Sequence, residues 1–290
     1  MKDRETVKEI IPSLKKRSDQ APVSVIIPCY NRQDTIRRAV LSVVKQTWKP
    51  KELILIDDGS TDDTLKVVKS LQNEFGEGWI KVITLPKNSG PSIARNKAWE
   101  IATQPYLAFL DSDDVWNQDK IAIQMHYMLN HESVFLNGHR YLVSKQGREY
   151  DFSELPFSQV TIKEIGSRRL LFHNCYSPSG VILKRSLSHR FPSSKRYSED
   201  YSLWLSIVFD GYSAVFTNLP LAYGDKLYFG ERGLSGHLWN LERDHNKNYL
   251  RLLQQKKIGL LMTLLAIGWS LLKYIRRVLI IYFFKVYYRK

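Results

Sequence analysis

The stretch YLAFLDSDDVW, residues 106–116, poses the question that decides the fold. Tyr106 to Leu110 form a mostly apolar run of strand length, and it ends on Asp111, Ser112, Asp113 and Asp114. A short apolar run bounded by polar residues reads as a strand buried on both faces. Three carboxylates within four positions repel one another unless a cation takes up their charge. Open parallel sheets produce this combination, because their ligands sit outside the carboxyl ends of the strands.

Working outward, the same unit recurs. VSVIIPCYN (23–31) is a strand of β-branched residues ended by Pro28, and the segment after it has Ile36, Val40, Val43 and Val44 at helical spacing. KELILIDDGSTDDT (51–64) is a second strand broken by Asp-Gly turn chemistry, and Asp62 and Asp63 open a helix to about Phe75. IKVITL (80–85) is a third strand, followed by NSGPSIARNKAWEIAT (88–103), where Pro91 suits a first helical turn. After the fourth strand, residues 117–129 return to helical spacing, with Asp114 as the helix-start residue. Strand–helix alternation of this kind predicts an α/β, Rossmann-like, mainly parallel sheet with helices on both faces. Three strand ends carry Tyr30-Asn31, Asp57-Asp58 and Asp111-Ser112-Asp113, and the topology converges them on one crevice. No GxGxxG and no Walker motif follows the first strand, so phosphates must be held another way. A divalent cation on carboxylates is the substitute.

From 131 to 240 the pattern loosens. Residues 177–187 read as a strand entering a turn or helix, 197–211 as a helix with Ser198 as N-cap and Gly211 beyond its end, and 214–224 as another strand. A Gly-punctuated loop at 231–240 leads into a polar helix.

The residue types at the strand ends suggest chemistry. Asp111 and Asp113, two positions apart, suit Mn2+ or Mg2+, which takes one or two carboxylates and completes its shell with substrate phosphates. Such a cation stabilises a leaving diphosphate. Asp58 is either an acceptor for a base or ribose, or a turn residue before Gly59; Tyr30 either stacks on a base or packs. Arg95 either meets phosphate or pairs with a carboxylate. Asp200, in Glu199-Asp200, either takes a proton from an incoming hydroxyl or serves the helix dipole behind Ser198. His173, His189 and His237 lack metal-ligand spacing.

Four blocks, VSVIIPCYN, ELILIDDGSTDDT, NSGPSIARNKA and FLDSDD, in this order and spacing resemble the family 2 glycosyltransferases, and the later SED extends the likeness to Asp200. The resemblance implies a GT-A fold and transfer with inversion of the anomeric configuration, as in bacterial surface-polysaccharide synthesis. It assigns Pro28, Tyr30, Asn31 and Asp58 to the base and ribose, Asp111 and Asp113 to the cation that bridges the diphosphate, and Asp200 to the catalytic base. Arg95 and Ser112 complete the set expected at the nucleotide-sugar site. GLSGH (233–237) is similar to a mobile loop near the donor diphosphate. The Gln-rich Trp motif of processive synthases is absent, so transfer of one sugar is expected, with a UDP-sugar as donor and a lipid-linked saccharide as acceptor. A metal-dependent nucleotidyltransferase would want a basic phosphate loop that PCYNRQDT (28–35) does not supply. A non-catalytic sugar-binding protein would not need Asp58, Asp113 and Asp200 together.

Composition bounds the rest. The chain has 290 residues, 43% hydrophobic, enough for one large core or two modest ones. Its two cysteines, Cys29 and Cys175, form no framework, which fits a reducing compartment. The N-terminal extension, residues 1–20, has no apolar core of signal-peptide length, so the catalytic body, 21–240, is not expected to be exported. That body divides into a nucleotide-sugar half (21–116) and an acceptor half (117–240). Of a net charge of +14, residues 251–290 carry nine Lys/Arg and no Asp/Glu. A tail (241–290) both basic and greasy points to an anionic membrane surface and away from nucleic acid. IGLLMTLLAIGWSLL (258–272) is uncharged but shorter than the roughly 20 residues a span needs. Lys256, Gly259, Thr263, Ala266, Ser270, Lys273 and Arg277 recur at steps of three and four as a polar-or-small stripe, which favours a helix lying in the membrane interface. A tilted span and a helical bundle that forms a homo-oligomer are the alternatives. The expected location is the cytoplasmic face of the bacterial inner membrane.

Overall fold

The computed structural model describes residues 19–143, 160–224 and 237–287, with side chains to 282. Strand β1 (Ala21–Cys29) lies parallel to β2 (Pro50–Asp57) on one side and β4 (Tyr106–Phe109) on the other, and β3 (Ile80–Thr84) adds outside β2. The crossovers are helices α1 (Ile36–Val44), α2 (Thr64–Phe75) and α3 (Pro91–Ile101). Alternation along β1 divides the interior. Val23, Val25, Ile27 and Cys29 face a core with α1, α2 and α4 (Lys120–Asn130), while Ile26 faces a second core with α3. Helices therefore cover both faces, as the apolar strands require.

The acceptor half is not a continuation of that parallel pattern. Beyond β4 come β8 (Ile182–Lys184), β6 (Val134–Val143), β9 (Ser213–Gly224) and β5 (Asp114–Trp116), with β7 (Ile162–Glu164) also on β9. Contacts β4–β8, β6–β8, β5–β9 and β7–β9 are antiparallel, so the nine-stranded sheet of the described residues is mixed where a mainly parallel one was expected. β5, β7 and β8, three residues each, make the antiparallel contacts, while the long strands β6 and β9 pair in parallel.

Asp114 does not start a helix. It opens β5, is 1% exposed, and accepts hydrogen bonds from the Tyr141 hydroxyl (2.7 Å) and the Ser179 hydroxyl (2.5 Å). The helix begins instead at Lys120, behind Asp119. A carboxylate with two buried hydroxyl donors serves the sheet better than a solvated helix end.

α5 (Ser167–Phe172) and α6 (Glu199–Phe209) pack on the second core, and α7 (Leu238–Gln254) runs without a break past residue 240 with Asn248, Tyr249 and Leu252 buried. α8 (Leu260–Tyr287) then reverses the expected use of its stripe. Thr263, Ala266 and Ser270 are buried against the body, and Lys273 donates from Nζ to the Phe172 carbonyl of α5 (2.8 Å). The small residues allow the helix to approach the protein, so the leucines point outward: Leu261 is 73% exposed and Leu272 61%. Among the described residues no helix is long and apolar enough to cross a membrane.

Candidate active site

The carboxyl ends of β1 and β2 are sewn together first. Asn31 adopts a left-handed backbone (φ 51°), a conformation Asn tolerates better than most residues. Its Oδ1 accepts the Thr61 N–H at 2.9 Å, and its own N–H donates to Ser60 Oγ at 3.0 Å. Gly59 stands at φ 69°, and a Cβ there would lie 2.7 Å from the Lys87 backbone. Only glycine satisfies both constraints. Tyr30, beside this turn, leaves its ring 38% exposed, while Pro28 sits within β1 opposite Ile56.

Asp58 is buried and joins β2 to α3. Its two carboxylate oxygens accept the N–H groups of Ser89 and Gly90, both at 2.8 Å, at the start of that helix. Burial pushes its pKa up, and these two donors together with Arg196 pull it back. The turn role and an acceptor role are compatible, since each oxygen keeps a second lone pair.

In the structure Arg95 pairs with carboxylates. The guanidinium, 4% exposed, donates to Asp111 Oδ1 at 2.7 Å and to Glu199 Oε1 at 2.9 Å. Burial alone would discourage its charge, but the two carboxylates outweigh that and hold it protonated. One buried fork thus ties the end of β4 to the start of α6.

Within the aspartate turn the residues separate. Asp114 N–H closes a turn on the Asp111 carbonyl (3.0 Å), and the Asp111 N–H donates to Ser179 Oγ (3.0 Å). Ser112 is buried. Asp113 keeps 42% of its side chain exposed, with Arg32 at 3.6 Å and Arg38 donating to its carbonyl at 2.9 Å. Arg32, Arg38, Ser179 and Tyr141 were not singled out from sequence. Their local patterns give no sign of long-range partners, and Arg37-Arg38 reads as an ordinary solvated pair.

Asp200 follows Glu199 in the first turn of α6. It is half-buried, and its pKa is raised to about 7 by burial first and then by the Glu199 charge; the Tyr201 N–H and Arg95 act in the opposite direction. Ser198 occupies the N-cap position but does not cap with its side chain: its backbone is left-handed (φ 54°), and its Oγ meets Asn248 Nδ2 of α7 at 3.3 Å. α7 therefore fixes the bend that delivers Glu199 and Asp200. Of GLSGH, residues 233–236 lie outside the described residues.

Among the described residues no three His, Cys, Asp or Glu side chains are grouped to hold a metal by themselves. Asp111 and Asp113 supply two carboxylates, a set that fits a cation whose other ligands arrive with a diphosphate.

The chain is similar to several known proteins. The chain is 37% identical over 204 residues to WfaP of Escherichia coli, a UDP-Glc:α-D-GlcNAc-diphosphoundecaprenol β-1,3-glucosyltransferase, covering 69% of this chain and 76% of that one. Over 202 residues it is 35% identical to TuaG of Bacillus subtilis, a putative teichuronic acid biosynthesis glycosyltransferase, covering 69% and 77%. The fold matches S. aureus TarS 1-349 in complex with UDP-GlcNAc (TM-score 0.60, 23% identity, 80% of this chain and 66% of that one). It also matches the Pyrobaculum calidifontis mannosyltransferase PcManGT in complex with GDP-Man and Mn2+ (TM-score 0.63, 15% identity, 89% and 78%). These likenesses identify the α/β sheet and its helices as a GT-A fold. The family profile covers residues 24–191, from the first strand past the aspartate turn, and with the relatives' identity it places the chain in glycosyl transferase family 2.

Proposed function

We propose that this glycosyltransferase moves one sugar from a UDP-sugar to a hydroxyl of a saccharide carried on a lipid diphosphate, with inversion at the anomeric carbon. The observation that carries the reading is the Arg95 fork, which gathers Asp111 and the Glu199-Asp200 pair around one buried cation. The names of the Escherichia coli relatives, which specify UDP-Glc and a GlcNAc-diphosphoundecaprenol acceptor, support the substrate classes.

In this reading Asp200 accepts the acceptor hydroxyl's proton as the oxygen attacks the anomeric carbon from the face opposite the diphosphate. A base whose pKa lies near 7 is half-prepared at neutral pH and gains little by being stronger. Arg95 holds Asp111 and Glu199 still, so that the proton acceptor and the aspartate turn keep their spacing. Tyr30 offers an exposed ring to a base, and Asp58, Asn31 and Pro28 shape the floor on which base and ribose rest. Asp111 and Asp113 would hold Mn2+ or Mg2+, which when bound neutralises charge on the leaving diphosphate. The test is UDP release from a panel of UDP-sugars with an alkyl-diphosphate-linked GlcNAc acceptor and manganese. Transfer should require metal and fall about 10²-fold or more in Asp113→Ala. Turnover unaffected by chelator and by that substitution would overturn the role of the aspartate turn.

The same reading seats α8 on the cytoplasmic face of the inner membrane. Its outward leucines and Trp269 form an apolar face, and Arg276 and Arg277 add charge that complements anionic lipid. The full chain should float with vesicles containing phosphatidylglycerol. Leu261→Glu, Leu265→Glu and Leu272→Glu together should leave it in the dense fraction with its melting temperature unchanged, because all three side chains are exposed. Flotation that survives the triple change would count against this seat.

A further inference from the structure

A cavity of about 370 Å³ is lined by residues of β6, β9, α5 and the segment after α5, and none of the strand-end residues belongs to it. Arg140 and Arg169 both line it, both are exposed, and neither has a carboxylate partner among the described residues. Tyr176 forms part of its wall, 3% exposed, with a hydroxyl that has no hydrogen-bond partner among the described residues. Asn174 spends its Oδ1 on the Tyr176 N–H (3.2 Å), which leaves its amide N–H groups to donate into the same space, and Ser177 adds a hydroxyl. No Asp or Glu lines the cavity. Two guanidinia with a phenol, an amide and a hydroxyl make a wall of donors and positive charge. Its complement is an anion with many acceptor oxygens.

The position of the cavity narrows the anion. On one side Tyr141, which also lines it, donates to Asp114 in the aspartate turn at 2.7 Å. On the other side α5, which carries Arg169, is tied by its Phe172 carbonyl to Lys273 of α8. The cavity thus lies between the candidate active site and the helix whose leucines face outward. We propose that it seats the diphosphate of the lipid-linked acceptor, with the saccharide running toward Asp200 and the prenyl chain toward α8. This rests on the acceptor class proposed above. The ring of Tyr176 fills the space where a Cβ of Gly138 would lie, 2.2 Å away, so Gly138 is what allows the phenol to stand in the wall.

Farnesyl diphosphate serves as the probe, titrated into the full-length protein with UDP and manganese saturating the donor site. Arg140→Ala and Arg169→Ala should each weaken its binding about tenfold, and the pair more, consistent with loss of a charge-assisted contact. UDP affinity and melting temperature should not move, since both side chains are exposed. Tyr176→Phe should weaken the probe without altering UDP. Unchanged farnesyl diphosphate binding in the double variant overturns the proposal. A parallel loss of UDP binding also overturns it, because the cavity would then belong to the donor. Loss of flotation on phosphatidylglycerol vesicles with intact farnesyl diphosphate binding would assign the arginines to phospholipid headgroups instead. Absence of sugar transfer with every donor would sink the reaction proposed above but not this binding result, so the two failures are distinguishable.

Discussion

Asp200→Asn should lower sugar transfer by about 10³-fold while leaving UDP affinity within twofold of the parent, measured by initial rates and by calorimetric titration. Asparagine keeps the shape of the side chain and the hydrogen bond to its neighbour, but it cannot take a proton. The parent enzyme should show kcat/KM that rises with pH and levels off above about 7, since burial and then the Glu199 charge hold the Asp200 carboxyl protonated to that point. The same shift has a stability consequence whose sign is opposite to the usual carboxylate case. Between the ordinary aspartate range and about 7 the folded state keeps the Asp200 proton that the unfolded state has lost. The unfolded state then binds fewer protons, so stability falls as pH rises through that window. The Asn variant has no such slope and should be at least as stable as the parent at pH 8, by denaturant unfolding. An Asn variant that transfers within tenfold of the parent would remove Asp200 from the chemistry.

The first half of the fold was legible because its physics is local. Residues 25–27, 53–56 and 107–110 are buried apolar runs, and helices at the expected spacing separate them. The second half was not, and β6 shows why. VFLNGHRYLV places Asn137, Gly138, His139 and Arg140 inside a strand, which erases both alternation and hydrophobic continuity. Those residues are there for tertiary reasons. Asn137 exchanges hydrogen bonds with Gln124 of α4 (2.8 and 3.3 Å), Gly138 makes room for Tyr176, and Arg140 reaches the cavity.

The candidate site divides in the same way. The strand-end aspartates are visible in the sequence, but which of them is committed to the protein is not. Asp114 reads as a helix-start residue and is the most buried of the three, because its donors, Tyr141 and Ser179, come from 27 and 65 residues away. The use of the tail's stripe was illegible for a related reason. A stripe of small and polar residues identifies a distinct helix face, but periodicity cannot say whether that face meets water or protein. Thr263, Ala266 and Ser270 meet protein. What remains outward is apolar, and the membrane seat proposed above would use that face.

Arg95→Met should cost about 3–5 kcal/mol of folding stability, because removing one partner from a buried ionic cluster leaves the others uncompensated. The guanidinium is 4% exposed, and Asp111 and Glu199, at 2.7 and 2.9 Å, would be left facing each other with no cation between them. Arg95→Lys should recover only part of the loss, since an ammonium is a point charge and the fork here serves two carboxylates in different directions. The Glu199→Gln change made on top of Arg95→Met should restore stability relative to Arg95→Met alone, as the repulsion it relieves exists only once the arginine is gone. That non-additivity, read from a double-mutant cycle by urea unfolding, separates an ionic junction from simple loss of volume, which methionine largely preserves. Additive single effects, or a deficit under 1 kcal/mol, about one factor of five in the folding equilibrium, would mean that the fork is incidental to the fold. With the expected result, Arg95 is the residue that joins the end of β4 to the start of α6, and with it the aspartate turn to Glu199.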